Sequence, residues 1–345
     1  MYLTPDSLFG KRGTHDDASH IERVTDEPYC HARTLTGWRR EMVQISPGRF
    51  QGRVFEACGR DVRVAREFLS RGVFHIGSAY AGGLTLGLIR STDKRAAIWN
   101  GIQVQPDTVV CVPPGAEMVF RSHDETRVIW LFVPAGLLDA QALAVFDDAE
   151  ASITQPMCFD DGALAVRIIS AYQAVRKLTG LRIPGEPGSL HPYDALMAEI
   201  VDLARGFLAI YGRRQPQLGI REAHAMKILR QVRLYLRQRI GESICLHDLC
   251  EAAAASERTV RNACEIVTGE SPMSFLRAMR LNQVRRALLN AATPVRITET
   301  GARWGFLHMP QFSRDYRELF GELPSETIRR QLRDSGNTTS DRAGG

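Results

Sequence analysis

Between Phe50 and Val133 the apolar residues come in short runs cut by Gly and Pro: GRVFEA, GVFHIGSAY, GLTLGLIR, DTVVCVPPG, AEMVF and RVIWLFV. Short runs rich in β-branched and aromatic residues, bounded by turn formers, predict strands. Their close spacing predicts an all-β barrel or sandwich. Pro113, Pro114 and Gly115 supply a tight turn between two of the runs.

Further on the period lengthens. Leu164, Ile168, Tyr172, Val175 and Leu178 fall on one face of a helix over Ala163 to Thr179. Leu196, Ile200, Leu203 and Phe207 do the same from about Tyr193 to Ile210, with the helix-breaking GEPGSLHP between. Such a pair fits either a dimerisation element or a lid on the sheet. GRRQPQLG, Gly212 to Gly219, is polar and holds Pro216 between two glycines, the pattern of a linker. Everything from there to about Arg333 has helical texture, and SGNTTSDRAGG has the composition of a disordered end.

The helical third contains a repeat. ICLHDLCEAAAASERTVRNACEIVTGESP and RITETGARWGFLHMPQFSRDYRELFGELP align so that Gly269 pairs with Gly321, Pro272 with Pro324, Cys264 with Tyr316 and Val260 with Phe312. Cys250 pairs with Ala302, and Ala253 with Gly305. In each copy a short helix ends at a small residue, a tight turn follows, and an amphipathic helix stops at Gly with Pro soon after. That is the pattern of a helix-turn-helix. Cys250 and Ala302 are the expected crossing points, and Gly305 suits a positive φ. Ser256 and His308 stand at the N-cap of each second helix, with Pro310 in the first turn. One long helix, Pro272 to Asn290, separates the copies. Leu281, Val284 and Leu288 form its apolar stripe, and Arg277, Arg280, Arg285 and Arg286 fill other faces. If it spaces the copies by one helical turn of DNA, roughly 34 Å, one chain reads two successive major-groove faces.

Charge sharpens this reading. Residues 221–333 carry 19 Lys/Arg against 12 Asp/Glu, a net +7, whereas the 345-residue chain is +5, leaving −2 elsewhere. A basic C-terminal third is where an anionic partner such as DNA would bind. Seven scattered cysteines without a C-x-x-C pair argue against a disulfide framework or zinc ribbon and for a reducing cytosol. No apolar run reaches membrane-spanning length. MYLTPDSLFGKRGTHDDASH lacks the apolar core of a secretory signal and reads as a leader.

DLCEAAAASERTVRN, the G-E-S-P and G-E-L-P turns, RLNQVRRALL and WGFLHMPQFSRDYRELFG stand in an order that resembles the DNA-binding domain of AraC/XylS-type transcription regulators. The resemblance covers about Ile220 to Arg330. A weaker likeness, through GWRREMVQISPGRFQGRV, points to the ethanolamine-operon regulators of that family. The resemblance implies that the exposed face of each second helix enters the major groove of double-stranded DNA. In the first copy that face holds Ser256, Arg258, Thr259, Arg261 and Asn262; Arg suits a guanine edge and Asn an adenine edge. In the second copy the positions are Met309, Pro310, Gln311, Ser313 and Arg314. Arg277 and Arg286 are expected on phosphates. The chain departs from the family at Glu265, Ile266 and Val267, where basic residues are usual, and at Thr327, where an aromatic is common. The first departure should weaken phosphate contacts and the second should loosen the last helix.

The resemblance also implies an α+β chain. Its expected parts are a leader (1–35), a cupin-like β-barrel effector domain (36–150), a helical dimerisation segment (151–211), a linker (212–219), a DNA-binding domain with two helix-turn-helix modules (220–333) and a disordered tail (334–345). No H-x-H pair accompanies His75 and His123, so neither a metal nor a cofactor is expected. Effector-binding candidates are His75, Tyr80, Arg90, Trp99, Glu117 and Trp130, each with a plain alternative as core or surface. Glu117 with a tryptophan face would suit an amine or amino alcohol. The implied protein is a cytoplasmic, homodimeric, effector-responsive regulator, an activator that works with RNA polymerase. The competing readings are a metal-free cupin-type enzyme with a helical appendage and an architectural DNA binder without a sensor.

Overall fold

The strand runs of the sequence become two sheets stacked face to face, and the helical runs cover both outer sides. The computed structural model describes residues 19–58, 62–91, 96–139, 157–159, 161–179, 192–211, 219–291 and 295–340. The seven-stranded sheet has the order β1 (Ser19–Thr25), β3 (Gly52–Cys58), β4 (Arg63–Leu69), β11 (Thr126–Pro134), β6 (Gly83–Arg90), β9 (Thr108–Val112) and β12 (Met157–Phe159). The five-stranded sheet runs β2 (Arg39–Gln44), β5 (Val73–Ser78), β10 (Glu117–Arg121), β7 (Ala97–Trp99) and β8 (Ile102–Val104). The expected cupin-like barrel is not what forms. Among the described residues each sheet keeps its own two edge strands, so the layers stack as a sandwich without closing.

Alternation within the strands assigns each residue a side. Trp130, Phe132, Trp99, Met118 and Phe120 point between the sheets and fill the sandwich. Gly87 is required there: a Cβ on it would sit 2.4 Å from the Trp130 ring. The opposite face of the seven-stranded sheet, with Leu86, Leu88, Val109, Ile129 and Leu131, is covered by α2 (Gly162–Thr179) and α3 (Pro192–Tyr211) in one apolar core. These are the two periodic helices of the sequence, packed on the sheet as a lid would be.

Residues 19–35 do not behave as a leader. Ser19 to Thr25 pair in register with Cys58 to Gly52, and a short helix α1 (Pro28–His31) follows. Residues 1–18, the linker segment 212–218 and the end 341–345 lie outside the described residues.

The C-terminal helices are α4 (Ile220–Arg239), α5 (Leu246–Ala253), α6 (Glu257–Thr268), α7 (Pro272–Leu289), α8 (Ile297–Arg303), α9 (Met309–Phe320) and α10 (Pro324–Ser340). The last enters the stretch read as a tail. α5–α6 and α8–α9 form two helix pairs of one design. Ser256 Oγ accepts from Thr259 N at 3.2 Å and His308 Nδ1 from Gln311 N at 3.3 Å, as the N-cap reading expects. Gly269 and Gly321 close α6 and α9 at φ 69° and 70°.

The turns differ from the alignment by one residue. The left-handed position is Gly305 in the second pair but Ala254, not Ala253, in the first, at φ 82° and 48°. At the crossing, too, Gly301 is the buried residue while Ala302 is exposed. A Cβ on Gly301 would lie 3.3 Å from Met309 and 3.7 Å from Phe312. The first pair matches this: Leu249, the counterpart of Gly301, is buried, whereas Cys250, the counterpart of Ala302, is half-buried.

Candidate nucleic-acid interface and sandwich core

Each second helix buries one stripe and leaves the other in water. On α6, Val260, Ala263, Cys264 and Val267 are buried; on α9, Phe312, Tyr316, Leu319 and Phe320. The free face of α6 presents Ser256, Arg258, Arg261 and Asn262, all exposed, with Thr259 half-buried. The free face of α9 presents Gln311 and Arg314, flanked by the half-buried Met309 and Ser313 and the exposed Pro310. The candidates from Ser256 to Asn262 and from Met309 to Arg314 thus lie on two helix faces, whereas Arg277 and Arg286 lie on α7.

Their side chains are held in local partnerships. Arg261 donates from Nε and Nη2 to Glu257 Oε1 at 3.0 and 2.7 Å. Arg314 donates to Gln311 Oε1 at 2.9 Å, and Gln311 donates to Asp315 Oδ1 at 2.6 Å. Arg261, Glu257, Gln311 and Arg314 are exposed, so these partners can be exchanged for base edges at small cost. Arg277 lies 3.6 Å from Asp315 and joins α7 to α9. Arg286 sits elsewhere, with its guanidinium 4.3 Å from the Tyr29 ring of α1.

Arg285 does not occupy a solvent face of α7. It is buried and grips Glu27, Nε to Oε2 and Nη2 to Oε1, both at 2.7 Å. Its Nη1 lies 2.9 Å from Glu322 Oε1, and Arg330 reaches the same Glu27 oxygen at 2.7 Å. Burial opposes the Arg285 charge, but the Glu27 carboxylate outweighs it and raises its pKa. Thr327 explains itself in this network. Fully buried, it donates to Glu322 Oε1 at 2.8 Å and meets the Tyr316 hydroxyl at 2.9 Å. The last helix is tied down by this polar threonine rather than loosened by it.

The departure at Glu265–Val267 has a similar reason. A Cβ on Gly101, in the turn after β7, would lie 3.5 Å from Ile266 and 3.7 Å from Val267. These apolar side chains seat the end of α6 on the five-stranded sheet. The contact is broad: Val43, Phe74 and Val119 share one buried cluster with Ala225, Leu229, Val260 and Phe275. Phe74 and Phe275 stack edge-on at 4.9 Å.

The effector candidates divide. His75, Trp99 and Trp130 meet inside the sandwich, with His75 and Trp99 at 5.2 and 5.4 Å from Phe120. Tyr80 lies at its rim, under the Arg63 guanidinium. Arg90 is on the surface, 2.8 Å from Asp107. Glu117 is on the outer sheet face, where with Glu41 it supports the charge of Arg233 on α4 against burial. It does not face the interior, so Glu117 is not placed to pair with an ammonium inside the sandwich.

The sequence reading missed the interior acid. Glu67, fully buried on β4, accepts from Arg40 Nη1 at 2.8 Å and from Trp130 Nε1 at 3.1 Å, with His31 Nε2 at 3.1 Å. Burial pushes its pKa up, but Arg40 and His31 hold the carboxyl well below the usual range. Burial lowers His75 to about 3, so its imidazole is neutral. Neither ring nitrogen of His75, nor the indole nitrogens of Trp38 and Trp99, has a hydrogen-bond partner among the described residues. Glu67 was detectable: it falls in phase with Ala65 and Leu69 on the inward side of an alternating strand.

No helix among the described residues is long and apolar enough to cross a membrane. Residues 249–330 match the family model described as a helix-turn-helix domain. The chain is similar to the XylDLEGF operon transcriptional activator 2 of Pseudomonas putida, 40% identical over 95 residues, 27% of this chain and 60% of that protein. It is 36% identical over 96 residues to another XylDLEGF operon transcriptional activator of that organism, 28% of this chain and 30% of the relative. The match thus spans less than two thirds of these curated relatives. A solved structure of a probable AraC family transcriptional regulator from Rhodopseudomonas palustris CGA009 is 35% identical. It covers 30% of this chain and 96% of its own, with a TM-score of 0.29. These relatives are transcription regulators rather than enzymes, and the C-terminal helical domain of this chain is a helix-turn-helix domain similar to that of AraC/XylS-type regulators.

Proposed function

We propose that the whole chain is a sequence-specific transcription activator whose N-terminal half senses a small molecule. The observation that carries the reading is the pair of helix faces on α6 and α9. Both are polar and exposed, backed by apolar stripes and capped alike. Arg258, Arg261 and Asn262 are the base readers of the first face, and Arg314 and Gln311 of the second. The sandwich with its covering helices supplies the sensor and a surface for homodimerisation, and RNA polymerase is the partner through which DNA binding becomes activation.

Selection of the protein's preferred sites from genomic DNA, followed by titration on a selected site and on random duplex, tests this. Arg261→Ala should lose about 1–3 kcal/mol on the selected site and little on random DNA. Equal losses on both would make Arg261 a phosphate contact, and no enrichment of any site would end the reading as a sequence-specific regulator.

A further inference from the structure

The sandwich holds both helix pairs by the same end. In the register of the repeat, Val267 corresponds to Leu319 and Gly269 to Gly321. α6 ends over the turn between β7 and β8, with Val267 against Gly101. Its closing Gly269 faces Arg121 of β10, whose Nε would lie 2.7 Å from an added Cβ. α9 ends over the loop between β2 and β3. There the Gly48 N–H donates to the Leu319 carbonyl at 3.0 Å, and a Cβ on Gly321 would lie 3.4 Å from Arg49 N. Arg258, Arg261, Gln311 and Arg314 lie in the first two turns of these helices and are exposed. Both helices are therefore gripped without their reading faces being covered.

Gln44 joins this grip to α7, the helix between the two pairs. It is buried at the end of β2. Its backbone and the Asn282 side chain of α7 form a reciprocal pair. The Gln44 N–H donates to Oδ1 at 2.9 Å, and Asn282 Nδ2 donates to the Gln44 carbonyl at 3.0 Å. The Gln44 side-chain nitrogen donates to the Leu319 carbonyl at 2.8 Å, with the Gly48 and Ser46 carbonyls at 2.6 and 2.9 Å. Carbonyls in the last turn of a helix have no partner within it, so the sandwich supplies what α9 lacks. Swinging α9 away from α7 would leave a buried amide without its acceptors, which is costly.

We propose that the sandwich is a gauge for DNA, and that Gln44 is a positioning residue within it. By tying the middle of α7 and the end of α9 to one strand, Gln44 fixes the separation and angle of the two reading helices. It thereby sets which spacing of half-sites the chain accepts. The inference rests on the DNA-binding reading above. One inserted base pair moves the second half-site by about 3.4 Å and turns it by roughly 35°. A held pair of helices cannot follow that displacement, whereas a loosened pair can.

The test is anisotropy titration of the full chain on a site selected from genomic DNA and on copies with one or two base pairs inserted between the half-sites. Footprints of Arg261→Ala and Arg314→Ala locate the half-sites. Gln44→Met, which keeps the bulk and removes the donor, and Asn282→Ala are compared with Arg66→Gln, an exposed position on the seven-stranded sheet. Circular dichroism checks each fold. Wild type and Arg66→Gln should lose about tenfold to a hundredfold for one inserted base pair, the worth of a misplaced base contact. Gln44→Met and Asn282→Ala should bind the original spacing more weakly, then lose less than about threefold further on insertion. Without DNA, hydrogen exchange over residues 309–323 should quicken in Gln44→Met. A wild-type spacing penalty in both variants overturns the gauge, because α7 would then set the spacing alone. So does tighter binding at every spacing, which would make the sandwich a lock that DNA must break. Failure to select any site removes the regulator reading and the gauge with it, whereas selected sites with an unaltered spacing profile remove the gauge alone.

Discussion

Ala254 closes α5 in the left-handed region, at φ 48° and ψ 45°, where a Cβ crowds the following carbonyl. Its side chain is exposed, so nothing is packed against it to compensate. Gly305 meets the same requirement without strain. A second reason holds it there: a Cβ would lie 2.8 Å from the Arg280 guanidinium, which donates to the Ile240 carbonyl. Ala254→Gly should therefore raise stability by about 0.5–1 kcal/mol in urea denaturation, the relief of strain less the added freedom of the unfolded chain. At His75 the consequence is a pH dependence. Its folded pKa, about 3, lies below the ordinary histidine value, so below about pH 6.5 the unfolded chain takes up a proton that the folded chain refuses. Glu67, Arg40 and His31 are the charged or titratable groups that face it. Stability should fall as pH drops from 7 to 5, by up to about 1.4 kcal/mol per unit from this group. In His75→Phe that slope should be shallower in melts at stepped pH; an unchanged slope would locate the acid sensitivity elsewhere.

At the scale of elements, the periodic signals translate directly. The six quoted apolar runs fall on β3, β5, β6, β9, β10 and β11, and the two four-and-three helices are α2 and α3. Caps were readable because they are local: Ser256, His308, Gly269 and Gly321 act within a turn of where they stand. Strands β7 and β8, three residues each, carry too little alternation to show. β1 hides in a polar segment because, as an edge strand, it buries little. Barrel and sandwich share one alternation pattern, so closure was not legible. Nor was the slip of the turn to Ala254, since two alanines in succession look alike. Arg285 was illegible for a different reason: its partner, Glu27, is 258 residues away.

At the scale of the molecule, that partnership is a buried polar tie between the N-terminal sandwich and the C-terminal helical domain. Gln44 adds to it. Its backbone N–H donates to Asn282 Oδ1 at 2.9 Å, and its side chain donates to the Leu319 carbonyl at 2.8 Å. Glu27→Ala leaves the buried Arg285 with Glu322 alone, and truncating one partner of a buried pair costs about 3–5 kcal/mol. We expect the wild-type chain to melt in one calorimetric transition and Glu27→Ala in two, with hydrogen exchange quickening in α7 before the sandwich. A single transition at the wild-type temperature would mean that the apolar contact at Phe74 and Phe275 suffices to couple the halves.

Ile266 and Val267 sit on the same helix as Arg261 and Asn262, one end seated on the five-stranded sheet while the other faces solvent. Such a helix has two clients, and a residue that suits one is answerable to the other. Domain shuffling among relatives is constrained accordingly. A DNA-binding domain transplanted with basic residues at those two positions would bring charge onto Val43, Phe74 and Val119, and a functional chimera would need its donor's outer sheet face as well as its helices.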